Sequence, residues 1–115
     1  MNKVILAGSR DIDDYELLCN TIIESGFQIH QVICGMAKGV DLLGYRWAKE
    51  NSIPIKECYP NWKQFGRSAG ILRNEDMLEL ATHLIAIRKN YSAGTSHMIK
   101  IAKAKGIEVF VKDIE

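Results

Sequence analysis

Two prolines, three cysteines and no apolar run long enough to cross a bilayer mark what this 115-residue chain has little of. The cysteines, Cys19, Cys34 and Cys58, are odd in number and widely spaced, which argues against both a disulfide framework and a zinc knuckle. They read as packing residues of a protein kept in a reducing compartment. His30, His83 and His97 are equally scattered, so no metal site and no cofactor are expected. The N-terminal apolar run, Val4–Ala7, is too short for a signal peptide or a membrane span, and the expected location is the cytoplasm. A net charge of +1 lacks the electrostatic footprint of a duplex-binding protein, while leaving room for a local basic pocket. Low-complexity tracts, linkers and internal repeats are also missing.

What the chain does have is alternation. Apolar strands are expected near 3–8, 29–34, 54–58, 83–88 and 107–111, and amphipathic helices near 13–26, 39–51, 69–81 and 95–105. Tyr15, Leu18, Cys19, Ile22 and Ile23 form one helical stripe that Gly26 stops, with Asp11 and Asp13 as candidate caps. Strands alternating with helices imply a parallel sheet with crossover connections. The first, second and fourth strands are nearly unbroken apolar runs, as strands covered on both faces are. The third begins at Pro54 and alternates, and the fifth carries Glu108 and Lys112, so both belong at edges. With right-handed crossovers the order is 3-2-1-4-5, a single Rossmann-like domain over residues 1–115 with helices on both faces. Ligands of such sheets bind beyond the carboxyl ends of the strands, where the order reverses, here between the first and fourth strands.

The loops at that point are informative. Gly8-Ser9-Arg10 follows the first strand with a tight turn, a hydroxyl and a guanidinium suited to phosphate, or else is a plain helix entry with a solvated arginine. Tyr91-Ser92-Ala93-Gly94-Thr95-Ser96 follows the fourth strand and opens a helix whose first amides, with Ser92, Gly94 and Thr95 among them, would attract an anion. After the second strand, Gly35 and Gly39 surround a helix start with Lys38 available to an anion, although the Gly-Lys-Ser/Thr ending of a P-loop is missing. Asp41 is either a first-turn carboxylate favoured by the helix dipole or an acceptor for ribose hydroxyls. Residues 59–70 form the longest non-periodic stretch, where Trp62 or Phe65 would stack on a base and Arg67 reach a phosphate, or the aromatics simply cover the core. Arg73 opposes the dipole at a helix start, pointing to an anion beside it or to an ion pair with Glu75 or Asp76.

These segments in this order resemble the YspA/YpsA-related branch of the SLOG superfamily. The matching stretches are Gly8–Arg10, Gly35–Ala48, Tyr59–Trp62, Gly66–Asn74, Leu84–Ala86 and Ser92–Ile99, spread over almost the whole chain. The resemblance implies a Rossmann-like domain for nucleotides or nucleotide-derived ligands. Its wider relatives include DprA, phosphoribohydrolases of the Lonely Guy type, nucleotide-signal sensors and a molybdenum carrier, and they commonly self-associate. In the phosphoribohydrolases a PGGxGTxxE pattern supplies a glutamate for glycosidic cleavage. Here Met98 stands in its place, and Tyr91 and Ser92 fall within the altered proline–glycine stretch. Arg73 resembles the arginine of the relatives' RK pair, with Asn74 in the lysine position.

The expectation is therefore a binding module, a sensor or sequestering domain, with ligand contacts from Gly8, Ser9, Arg10, Gly35, Lys38, Gly39, Asp41, Trp62, Arg67, Arg73, Asn74, Ser92, Gly94 and Thr95. A homo-oligomer is expected, and a small single-domain protein of this kind fits a phage or mobile element. The alternatives are a nucleoside-phosphate N-glycosidase, with Asp41 and Arg73 as catalytic candidates, and a DprA-like single-strand DNA binder using Lys100, Lys103 and Lys105.

Overall fold

In the strand Lys3–Gly8 (β1), Val4 and Leu6 belong to one buried cluster and Ile5 and Ala7 to another, the two-residue period of an extended chain sandwiched between layers. The same split runs through the other central strands. Val32 and Cys34 of Gln31–Cys34 (β2) and Ile85 and Ile87 of His83–Lys89 (β4) join the first cluster, whereas Ile33, Leu84 and Ala86 join the second. A computed structural model describes the whole chain, Met1–Glu115.

The helices Tyr15–Ser25 (α1) and Val40–Glu50 (α2) close the first cluster with Leu18, Ile22, Val40 and Ala48. On the opposite face Ala69–Leu80 (α4) and Ala93–Lys105 (α5) contribute Met77, Leu78, Met98, Ile99 and Ala102. The sheet is completed by Ile55–Glu57 (β3) and Glu108–Ile114 (β5) at its edges, all strands parallel in the order β3-β2-β1-β4-β5. The edge strands carry the alternating polar residues and the interior strands the apolar runs, as burial on two faces requires. No helix is long and apolar enough to cross a membrane.

Three details differ from the sequence expectation. The cap of α1 is Asp14 rather than Asp11 or Asp13: its extended backbone lets the carboxylate accept from Leu17 N–H at 3.0 Å. Asp11 instead lies 3.6 Å from the Lys89 ammonium. Residues 59–70 are not irregular throughout, since Asn61 caps a single turn, Trp62–Phe65 (α3), and a 3-10 turn, Gly66–Ser68, leads into α4. Four residues are too few to show a helical period. Finally, β5 runs on to Ile114, held by the Arg88–Asp113 pair at 2.6 and 3.0 Å.

Candidate ligand-binding site

β1 and β4 are neighbours in the sheet, and the loops that leave their carboxyl ends are stitched together. Ser9 Oγ accepts from Lys89 N–H at 2.9 Å and lies 2.5 Å from Ser92 Oγ. Between those points the chain makes a tight turn, closed by Ser92 N–H donating to the Lys89 carbonyl at 3.1 Å. Its central residues, Asn90 and Tyr91, have φ of 51° and 54°, the left-handed pair of a type I′ turn.

This stitch has a consequence one residue later. Ser92 is the N-cap of α5, where a serine hydroxyl ordinarily accepts from an amide of the first turn. Its hydroxyl is engaged with Ser9, and no side chain caps the helix. The amides of Ala93, Gly94 and Thr95 therefore have no acceptor within the helix and carry the positive end of its dipole. At Gly94 an added Cβ would meet nothing within 4 Å, so no packing demand of the fold requires glycine there.

Opposite this terminus, the start of α2 presents Asp41, only 6% exposed. Burial pushes its carboxyl up from 3.8 to about 6, against the pull of the Ala37 amide, Arg73, Arg10 and the Gly8 amide. The Ala37 N–H donates to Asp41 Oδ2 at 3.3 Å. Gly35 makes the approach of Asp41 and Arg73 feasible: a Cβ there would fall 2.7 Å from the carboxylate and 3.0 Å from Arg73 Nη1. Arg73 is buried in α4, donating from Nη1 to the Gly35 carbonyl and from Nε to Asn74 Oδ1 at 2.9 Å. Its partners are thus a backbone carbonyl and an amide side chain, and neither Glu75 nor Asp76 forms an ion pair with it.

These groups surround a cleft of about 710 Å³ at the carboxyl end of the sheet. Of the residues singled out from sequence, Gly8, Ser9, Arg10, Asp41, Trp62, Arg67, Arg73, Asn74, Ser92, Gly94 and Thr95 line it. Three do not. Gly35 and Lys38 face a smaller adjoining lobe, and Gly39, at φ 86°, packs beneath the Ser9–Arg10 backbone, where any side chain would collide. Ser9 and Ser92 are in the cleft wall, but their hydroxyls already serve each other. Arg10 and Arg67 are exposed and have no carboxylate partner, so with Arg73 the cleft holds three guanidiniums outside any ion pair.

The sequence reasoning passed over Asp11, Ile71, Met77, His97 and Met98, which also line the cleft. Among them His97 stands out, because its buried Nδ1 has no hydrogen-bond partner. The signal was available: Gly94, His97 and Met98 are spaced i, i+3, i+4 along one helical face. The cysteines stand apart from this polar lining. Cys34 is buried, its thiol pushed up to about 12 by burial and donating to the Asp41 carbonyl at 3.3 Å. No cluster of three His, Cys, Asp or Glu side chains is placed to hold a metal ion.

No curated protein and no solved structure gives a significant match to this chain. A family model does, over residues 2–65, the stretch from β1 through α3 that carries Gly8–Arg10, Gly35–Asp41 and Trp62. That match spans more than half of the protein, which belongs to the YAcAr family, the YspA, cpYpsA-related SLOG family.

Proposed function

We propose that the protein binds a nucleotide or nucleotide-derived ligand in this cleft, as a sensing or sequestering module. The observation that carries the reading is the uncapped start of α5, left open because Ser9 engages the hydroxyl that would have closed it. An anion at Ala93–Thr95 would receive those amides, with Arg10, Arg67 and Arg73 around it. Asp41 would meet a ribose hydroxyl, and Trp62, half exposed at the rim, would stack on a base. Family membership supports a nucleotide-related ligand.

The magnitudes show why the arginines are needed. Micromolar affinity corresponds to about 8 kcal/mol. A helix terminus supplies ~1 kcal/mol, and hydrogen bonds to a charged group about 1.5–3 kcal/mol each before ordering costs are subtracted. Amides alone fall short, whereas two engaged guanidiniums close the gap. The test is native mass spectrometry of the purified protein for a retained nucleotide, followed by calorimetric titration with nucleoside mono- and diphosphates. Arg10→Ala and Arg67→Ala should each weaken binding at least tenfold with unchanged thermal stability. Absence of any nucleotide binding at millimolar concentration refutes the reading.

Asp41 favours one second reading. A buried carboxyl that titrates at about 6 in a cleft is suited to general acid–base work, as glycosidic cleavage of a nucleoside phosphate needs. Free base released by wild type and lost in Asp41→Asn would establish it.

A further inference from the structure

The turn that opens α5 is held from behind by a residue that does not line the cleft. The two-residue period of β4 places Arg88 on the face of Leu84 and Ala86, one step beyond the apolar core and directly across from Asp113 of β5. There its Nε and Nη2 donate to the two Asp113 carboxylate oxygens at 2.6 and 3.0 Å. Its Nη1 donates to Ser96 Oγ, in the first turn of α5, at 3.2 Å. The guanidinium carbon also lies 4.7 Å from the centre of the Tyr91 ring, and Ser96 Oγ in turn donates to the Tyr91 carbonyl at 3.3 Å. One planar fork therefore joins β5, the turn and the helix.

Tyr91 and Ser96 stand on either side of residues 92–95, so both ends of the segment whose amides are open depend on Arg88. The turn needs such a restraint. A left-handed pair favours glycine at its second central position, and Tyr91 stands there at φ 54°. The other ties are Lys89 N–H to Ser9 and Asn90 N–H to the Ile114 carbonyl at 3.0 Å, and neither reaches the helix. Were the turn to relax, Ser92 would be drawn off Ser9, and its hydroxyl would be free to cap the amides it now leaves open. Arg88 is also unlike the exposed pair Arg46–Glu50: its side chain is 17% exposed against 58% for Arg46, and all three of its nitrogens are engaged.

We propose that Arg88, anchored by Asp113, is a positioning residue for the anion site: it touches no ligand, and it holds Tyr91 and Ser96 so that the amides between them stay open toward the cleft. This rests on the reading of the α5 start as an anion site and adds a determinant from the last two strands, outside the stretch that the family model covers. Charge and position predict opposite signs at Asp113. Removing its carboxylate makes this end of the protein more positive, which by charge alone would tighten the binding of an anion. If the carboxylate anchors Arg88, the same change weakens binding.

The experiment is calorimetric titration with ADP and with inorganic pyrophosphate, well below the melting transition of each variant, with thermal melts recorded in parallel. Asp113→Ala and Arg88→Lys should each weaken binding about tenfold, the loss of one amide hydrogen bond to a charged group. Asp113→Glu, which keeps the anchor, should stay close to wild type. Unchanged or tighter binding in Asp113→Ala overturns the proposal and leaves the anion site standing. Wild-type affinity in Arg88→Lys also overturns it, because Arg88 would then act through its charge alone. A lowered melting temperature with undiminished affinity marks a merely structural ion pair and has the same result. The Asp113 side chain is 43% exposed at the sheet edge, so Asp113→Ala decides by itself where Arg88→Lys does not fold. If wild type binds neither probe, the anion site and this proposal fall together.

Discussion

Replacing Asp41 by Asn should stabilise the protein near neutral pH and destabilise it in acid. The carboxyl is 6% exposed, and burial raises it from 3.8 to about 6. Between those values the folded state holds a proton that the unfolded chain has released, so stability falls as pH rises through this window and levels off above it. At about 1.4 kcal/mol for each tenfold change in proton affinity, the full penalty is about 3 kcal/mol, present above pH ~6. At pH 4 only a small part of it remains. Asn removes the charge but keeps one acceptor for the Ala37 amide, bonded at 3.3 Å. Its NH₂ group then faces donors, at a cost of about 1–2 kcal/mol. The net gain expected at pH 7.5 is about 1–2 kcal/mol, read as a rise of several degrees in Tm. At pH 4 the sign reverses to a loss of about 1 kcal/mol, because most of the desolvation penalty is gone and the mispaired NH₂ remains. Urea denaturation of wild type and variant at both pH values measures this directly. A variant destabilised at pH 7.5, or a difference independent of pH, would refute the assignment of Asp41 as a buried charge tolerated for what it does in the cleft.

Gly94→Ala separates folding from binding at the start of α5. The new methyl meets open space, so the helix should gain about 0.5–1 kcal/mol, while nucleotide affinity drops at least tenfold because the methyl enters the anion's place. Thermal melts with and without AMP read both effects; unchanged affinity removes Gly94 from the site. Arg73→Ala should weaken binding and also lower stability by about 1–3 kcal/mol, since the buried Gly35 carbonyl loses its donor. Arg73→Lys, which retains charge but not the fork, should recover part of the stability and little of the affinity; chemical denaturation paired with titration distinguishes the two losses.

Much of this architecture was legible because it follows from water exclusion alone. Val4-Ile5-Leu6-Ala7 and Leu84-Ile85-Ala86-Ile87 cannot be half-solvated strands, and placing them inside forces the reversal of strand order that brings Gly8–Arg10 to Ser92–Thr95. What escaped was governed by contacts between residues far apart in the chain. Ser9 and Ser92 read as two hydroxyls for a ligand, yet the pairing of β1 with β4 brings them together, and each consumes the other. Arg73 read as free to clamp an anion, yet the carbonyl of Gly35, 38 residues away, fixes one edge of its guanidinium. Asp14 displaced the neighbouring aspartates as a cap by local backbone geometry that composition does not encode.

Several locally unfavourable choices nevertheless converge on one end of the sheet. A helix begins without a side-chain cap, and a glycine occupies its first turn with nothing packed against it. A tyrosine adopts φ 54° in the turn just before, a conformation that costs a residue with a Cβ about 1–2 kcal/mol. A carboxyl is buried at a cost of about 3 kcal/mol at neutral pH, and guanidiniums gather without carboxylate partners. Elsewhere Asp14 caps α1, and Gly26 and Gly106 end α1 and α5 in left-handed geometry, although Ser52, at φ 55° in the loop after α2, carries a similar backbone cost far from the cleft. An anionic occupant of the cleft would offset the open amides, the unpaired arginines and the buried acid in a single binding event.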